Sequence, residues 1–70
     1  AEINKQVDQE VSKLPPRQRM VFVLRYFEEK SNAEIAQALG ITEGAVKANY
    51  HQAIKKMQTG LASLLRGDIL

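Results

Sequence analysis

The sequence predicts an all-α fold: a small four-helix domain that contains a helix-turn-helix. Along most of the chain, apolar residues recur every three or four positions, which is the helical period. Pro15-Pro16, the polar stretch from Glu28 to Lys30, and Gly40 divide this pattern into segments of helical length. We expect helices at about residues 2–13, 16–28, 32–39 and 43–65, within a single domain that spans residues 1–70.

The first segment is predicted to be an amphipathic helix. Ile3, Val7, Val11 and Leu14 follow one another at spacings of four, four and three residues, and the residues between them are mostly polar. Pro15-Pro16 ends this helix, because proline disfavours the helical conformation in the residue before it. The same prolines can begin the next helix, where a missing amide proton has no cost.

The second segment, from Met20 to Phe27, is the most apolar of the chain. A helix that is apolar nearly all round is central to its domain. We expect Met20, Leu24 and Phe27 to contact the helix-turn-helix, and Val21 or Val23 to contact the first helix. If Phe27 lies in the core, its replacement by alanine should cost about 3–5 kcal/mol.

The helix-turn-helix is predicted from the residues that begin and end its two helices. Ser31 and Glu34 form a capping box, and Gly40 can adopt the left-handed conformation that ends a helix. Thr42 can cap a second helix, and Glu43 favours the positive end of that helix. In this motif the second helix enters the major groove of DNA.

The two sides of that second helix differ in character. One side is an apolar stripe formed by Val46, Tyr50, Ala53, Ile54 and Met57. The opposite side carries side chains that can donate to phosphates or base edges, without an acidic residue among them: Lys47, Ala48, His51, Gln52 and Lys55. We expect DNA contacts from this side and from Thr42 and Glu43, and a merely solvated helix face is the alternative.

Composition and charge favour a nucleic-acid partner over catalysis. The net charge is +2, and Thr42 to Arg66 holds four basic residues against one acidic residue. The chain has no cysteine and one histidine, which has no carboxylate at helical contact spacing, so we expect no enzyme, metal or cofactor. Nothing in these residues resembles a signal peptide, and no apolar run approaches the roughly 18 residues of a membrane span. We expect a cytoplasmic protein.

The central part of the chain resembles a known family of transcription proteins. The residues that carry the resemblance lie between about Leu14 and Met57. They are Leu14-Pro15-Pro16, Arg19, Val21-Phe22, Leu24 to Glu28, Glu34 to Ala36, Leu39 to Thr42, Gly44, Val46-Lys47, His51 and Ala53. In this order and spacing they are similar to region 4 of bacterial RNA polymerase sigma factors, most closely the extracytoplasmic-function group.

The resemblance implies a winged-helix-like domain of the sigma region 4 type that binds the minus-35 promoter element. It implies double-stranded promoter DNA, the β flap of the RNA polymerase core and an anti-sigma factor as partners. Four residues match family positions that contact bases or the DNA backbone, namely Lys47, Ala48, His51 and Gln52. Thr42 and Glu43 match the helix start, where amides approach a phosphate.

Two positions depart from the family pattern. Asn49 and Gln52 stand where family members commonly have arginine, so Gln52 is expected to recognise adenine through two hydrogen bonds instead. A response-regulator output domain, or a protein-interaction module that has lost DNA binding, remains an alternative. Since the chain starts at Ala1 and not at methionine, we expect a fragment of a longer sigma factor.

Overall fold

The computed structural model describes the backbone of residues 2–67 and the side chains of residues 5–61. Over the described backbone the chain forms four α-helices and no strand: α1 (Glu2–Ser12), α2 (Pro16–Phe22), α3 (Asn32–Leu39) and α4 (Glu43–Gly67). A five-residue π-helical turn, Val23–Phe27, continues α2. The predicted all-α fold is confirmed. Within residues 2–67, no helix is both long enough and apolar enough to cross a membrane.

The break between α1 and α2 is made by the two prolines. The backbone N–H of Leu14 still donates to Val11 at 3.1 Å, and Pro15 then takes an extended conformation with ψ 150°. Pro16 occupies the first turn of α2, where the backbone N–H groups of a helix have no acceptor within the helix, so the missing N–H of proline has no cost. The N–H of Arg19 donates to the Pro15 carbonyl at 2.8 Å and closes the first turn of α2.

Two apolar clusters form the core, and α2 lies between them. The N-terminal cluster joins α1, α2 and α4 and consists of Val11, Leu14, Phe22, Ala53 and Met57. The motif cluster joins α2, α3 and α4 and consists of Val21, Ile35, Ala36 and Val46. Because neighbouring residues on a helix point about 100° apart, Val21 and Phe22 can enter different clusters. The two clusters therefore fix α4 against every other helix.

Met20 and Phe27, which were expected to contact the helix-turn-helix, are each 49% exposed and belong to neither apolar cluster, so Phe27 is not a core residue. The buried phenylalanine is Phe22, at 3% exposure. The reason is that α2 directs Val21 and Phe22 toward the core and Met20 toward solvent. After Phe22 the helix widens into the π-helical turn, in which the N–H of Glu28 donates to the Val23 carbonyl five residues earlier, at 3.2 Å. This wider turn rotates Phe27 away from the direction that an uninterrupted α-helix would give it.

Other contacts predicted for this segment are confirmed. Leu24 packs against the motif cluster, and Val23 packs against the N-terminal cluster that includes α1. The rings of Tyr26 and Phe27 lie against the ring of Phe22, with centroid distances of 5.2 and 6.0 Å. Aromatic side chains at this end of α2 thus continue from the core to the surface.

The long helix α4 sets the length of the molecule. Its 25 residues span about 37 Å at the helical rise, compared with a longest molecular dimension of 44 Å. The helix continues through Gly60, as predicted, and Leu61 is partly buried. The side chain of Ile3, from the apolar stripe predicted for the first helix, lies outside the described residues, as do those of Leu64 and Leu65.

Candidate nucleic-acid interface

The first helix of the motif, α3, begins with the predicted capping box. The Ser31 hydroxyl accepts from the backbone N–H of Glu34 at 3.1 Å, and the Glu34 carboxylate accepts from the backbone N–H of Ser31 at 2.9 Å. The hydrogen bond from the Ser31 backbone, followed by that from its side chain, lowers the pKa of Glu34. These bonds fix where α3 starts.

The corner between α3 and α4 consists of Gly40, Ile41 and Thr42. Gly40 has the left-handed conformation, with φ 69° and ψ 36°, and the N–H of Ile41 donates to the Ala36 carbonyl at 3.0 Å. Ile41 packs against the motif cluster, which ties the corner to the core. The Thr42 hydroxyl caps α4 by accepting from the N–H of Ala45 at 3.0 Å. The chain therefore contains a helix-turn-helix.

The two sides of α4 separate as predicted. Val46, Ala53 and Met57 are buried, while Tyr50 and Ile54 are partly buried. The opposite side is exposed to solvent, and we call it the recognition face: Lys47, Ala48, His51, Gln52 and Lys55. Thr42 and Glu43, the other two predicted site residues, are exposed at the start of the same helix. The structure thus brings all seven residues to one surface.

Arg25, which the sequence analysis did not select, adds a positive charge beside the recognition face. It borders a shallow depression together with Lys47 and His51. Its guanidinium lies 5.3 Å from the centre of the Tyr50 ring, and its Nε donates to the Asn32 side chain at 3.1 Å. Arg25 is the single charged residue in an apolar run, a signal that would have marked it as facing outward.

Gln18 is the second residue that the sequence analysis missed. Its side chain on α2 is only 9% exposed, and its Nε2 donates to Oε1 of Gln52 on the recognition face at 2.9 Å. Gln18 precedes Val21 and Phe22 by three and four residues, so helical periodicity already placed it on the buried side of α2. A polar residue at such a position needs a hydrogen-bond partner.

Asn49 lies outside the recognition face. Its side chain is partly buried, and its Nδ2 donates to the Ala45 carbonyl of the preceding turn at 2.8 Å. An asparagine bonded in this way stabilises the helix surface and does not present its amide to a ligand. Of the two departures from the family pattern, only Gln52 therefore occupies an exposed position on this surface.

Comparison with known proteins places this geometry in a family. The family model described as "Sigma-70, region 4" matches residues 4–57. The RNA polymerase sigma-E factor of Streptomyces avermitilis is 44% identical over 50 residues, which cover 71% of this chain and 28% of that protein. The ECF RNA polymerase sigma factor SigW of Bacillus subtilis is 35% identical over 63 residues, which cover 90% of this chain and 34% of that protein.

A third relative is also named as an RNA polymerase sigma factor. The RNA polymerase sigma factor FliA of Escherichia coli K12 is 34% identical over 62 residues, covering 89% of this chain and 26% of that protein. The chain therefore spans between 26% and 34% of the length of these three relatives. The matched region includes α2, α3 and the recognition face of α4. With its helix-turn-helix and this match over most of its length, the chain belongs to the sigma-70 region 4 family.

Proposed function

We propose that this chain binds the minus-35 element of promoters as one domain of a longer sigma factor, and so directs RNA polymerase to the start of transcription. The observation that carries the proposal is the exposed recognition face on the second helix of a helix-turn-helix, the helix that enters the major groove in this motif. The family match and the sigma factors among the relatives support the same function.

We assign the contacts by the chemistry of each side chain. Gln52 and the small Ala48 lie where base edges are accessible, while Lys47, His51 and Lys55 approach the DNA backbone. Thr42 and Glu43 begin α4, whose free amides and positive dipole end favour a phosphate. Arg25 adds a further phosphate contact beside Lys47.

The remainder of the proposal concerns protein partners. Met20, Tyr26 and Phe27 expose large apolar side chains on α2 and its π-helical turn, although buried positions are the usual place for such residues. We propose that these side chains contribute to docking on the β flap of the polymerase core, and that an anti-sigma factor competes for the chain. The parts of the longer sigma factor outside residues 1–70 would make the other contacts with the enzyme.

The DNA part of the proposal is tested by fluorescence anisotropy with a labelled promoter duplex at several salt concentrations. Lys55→Ala should weaken binding to all duplexes alike and lower the slope of log affinity against log salt by about one unit. Lys5→Ala removes an exposed lysine from α1 and is the matched control, for which we expect the parent slope.

Base recognition requires a different comparison. Gln52→Ala should reduce the preference at one base position by about 1–3 kcal/mol and leave the salt slope unchanged. The measurement is competition between duplexes that differ at single positions, with the sigma factor assembled on the core enzyme. Equal affinity of both variants and the parent for every duplex would contradict the assigned interface. A complete lack of salt-dependent binding would indicate the protein-interaction module instead.

A further inference from the structure

The hydrogen bond between Gln18 and Gln52 carries an inference about which base the recognition face selects. It rests on the proposed function, because it assumes that Gln52 faces a base edge. We propose that Gln18 is a positioning residue that fixes the side-chain amide of Gln52, so that Gln52 recognises guanine. Gln18 itself does not contact DNA in this proposal, since its side chain is buried between α2 and α4.

The orientation of the Gln52 amide follows from its bond to Gln18. The Gln52 oxygen accepts from Gln18 Nε2 at 2.9 Å, so the oxygen faces α2. In a planar amide the nitrogen diverges from the oxygen, and the Gln52 NH₂ group is therefore directed away from α2. Gln52 is exposed, so this group is available to a ligand as a donor of two hydrogen bonds.

Guanine is the base that matches a group with donors only. In the major groove guanine presents two acceptors, N7 and O6, whereas adenine presents the acceptor N7 and a donor at N6. Recognition of adenine by glutamine through two bonds needs the amide oxygen as well as the nitrogen. Because the bond to Gln18 turns that oxygen toward α2, the adenine preference expected from the glutamine alone is replaced by a guanine preference.

The opposite orientation of the Gln18 and Gln52 side-chain amides is less favourable because of the hydrogen bonding of the buried Gln18 amide. As the side chains stand, Gln18 Oε1 is the buried atom without a hydrogen-bond partner in the described structure. Exchanging oxygen and nitrogen in both amides would leave the buried NH₂ group of Gln18 without a partner instead. Orphaned buried N–H groups are rarer in proteins than under-satisfied carbonyl oxygens, so the guanine orientation is the favoured one.

The specificity test uses two substitutions of Gln18 in the sigma factor assembled with core polymerase. In Gln18→Glu the new carboxylate can only accept, so Gln52 must turn its NH₂ group inward and its oxygen toward the DNA. The preference should then change from guanine to a base with an amino donor, adenine or cytosine, by about tenfold. Gln18→Met keeps the size without the hydrogen bond and should reduce the guanine preference to within about twofold.

The readout is competition among duplexes that carry each of the four bases at every position of the minus-35 element. Gln9→Glu adds the same charge at an exposed site on α1 and should keep the parent preference. If Gln18→Glu does not fold, Gln18→Met still decides the outcome. An unchanged base preference in the folded Gln18 variants overturns the inference but leaves the proposed function standing, whereas loss of all duplex binding by the parent rejects both.

A measurement without DNA tests the hydrogen bond itself in the 70-residue chain. The side-chain amide protons of Gln18 should exchange with solvent at least about tenfold more slowly than those of the exposed Gln9, because they are buried and bonded. Gln52→Ala should shift the Gln18 amide resonances and raise their exchange rate. Gln18 protons that exchange as fast as those of Gln9 and ignore Gln52→Ala would also overturn the inference.

Discussion

The carboxylate of Glu34 makes the start of α3 sensitive to pH. It accepts from the backbone N–H of Ser31, and this bond lowers the pKa of Glu34 from its usual value of 4.5. The unfolded chain therefore binds this proton more readily than the folded chain does. The stability that the bond contributes is fully present above the unfolded pKa and is lost as the pH falls through the lower, folded pKa.

Glu34→Gln should remove this dependence, because an amide can still accept the hydrogen bond but does not titrate in this range. Urea denaturation between about pH 6 and pH 3 should show that parent and variant differ most near neutrality and converge in acid. Glu28→Gln, at an exposed carboxylate outside the capping box, serves as the control. A parent-to-variant difference that stays constant across the series would contradict this role of Glu34.

Single residues also show how far sequence can predict backbone conformation. Gly40 was expected to adopt the left-handed conformation because it follows the last apolar residue of a helical segment, and its φ of 69° confirms this. Glu29 has a φ of 55°, although an L-residue there costs roughly 1–2 kcal/mol. That conformation follows from the π-helical turn before it, and nothing in the residue type indicates it.

At the scale of elements, the side of α2 that faces the core decides which phenylalanine stabilises the fold. Periodicity treated Met20 to Phe27 as one α-helix, and it showed neither which side of that helix faces the core nor that a π-helical turn follows Phe22. Phe22 lies in the N-terminal cluster and stacks on Tyr50 with a centroid distance of 6.0 Å. Local sequence does not reveal such a turn, because its hydrogen bonds depend on how α2 packs against both clusters.

Phe22→Ala and Phe27→Ala should therefore differ strongly in their effect on stability. We expect Phe22→Ala to lower the free energy of unfolding by about 3–5 kcal/mol, the cost of emptying a core position. Phe27→Ala removes a half-exposed ring and should cost about 1 kcal/mol, in proportion to the apolar area it still buries. Thermal and urea denaturation followed by circular dichroism would measure both, and equal losses would contradict the assignment.

The recognition face was predictable because one long helix carries it. Lys47 to Lys55 share a face through helical geometry alone, so their residue numbers fix their relative positions. Arg25 lies beside this face on the π-helical turn, and the buried Gln18 contacts it from α2, so both contacts depend on the packing of α2 against α4. A single sequence therefore predicts the pattern of residues along one helix. It does not predict the contacts between helices.

At the scale of the whole molecule, α1 contacts α4 through the side chain of Glu10, which lies against Gly60. Glu10 of α1 is only 7% exposed and pairs with Lys13 at 2.9 Å. Its carboxyl group lies against Gly60, where an added Cβ would stand 2.6 Å from Glu10 Cδ. A glycine inside a helix costs about 1 kcal/mol relative to alanine. The close approach of Glu10 gives a physical reason for a glycine at this position.

Gly60→Ala should consequently have a different effect in two backgrounds. In the parent, the gain in helix propensity is offset because the new methyl group displaces the Glu10 side chain from its position against α4. In a Glu10→Ala background the obstacle is absent, and Gly60→Ala should raise the free energy of unfolding by about 1 kcal/mol. The double-mutant cycle, measured by urea denaturation, should give a coupling of at least about 0.5 kcal/mol between the two sites. Additive effects would show that α1 does not pack against α4 through Glu10 in solution.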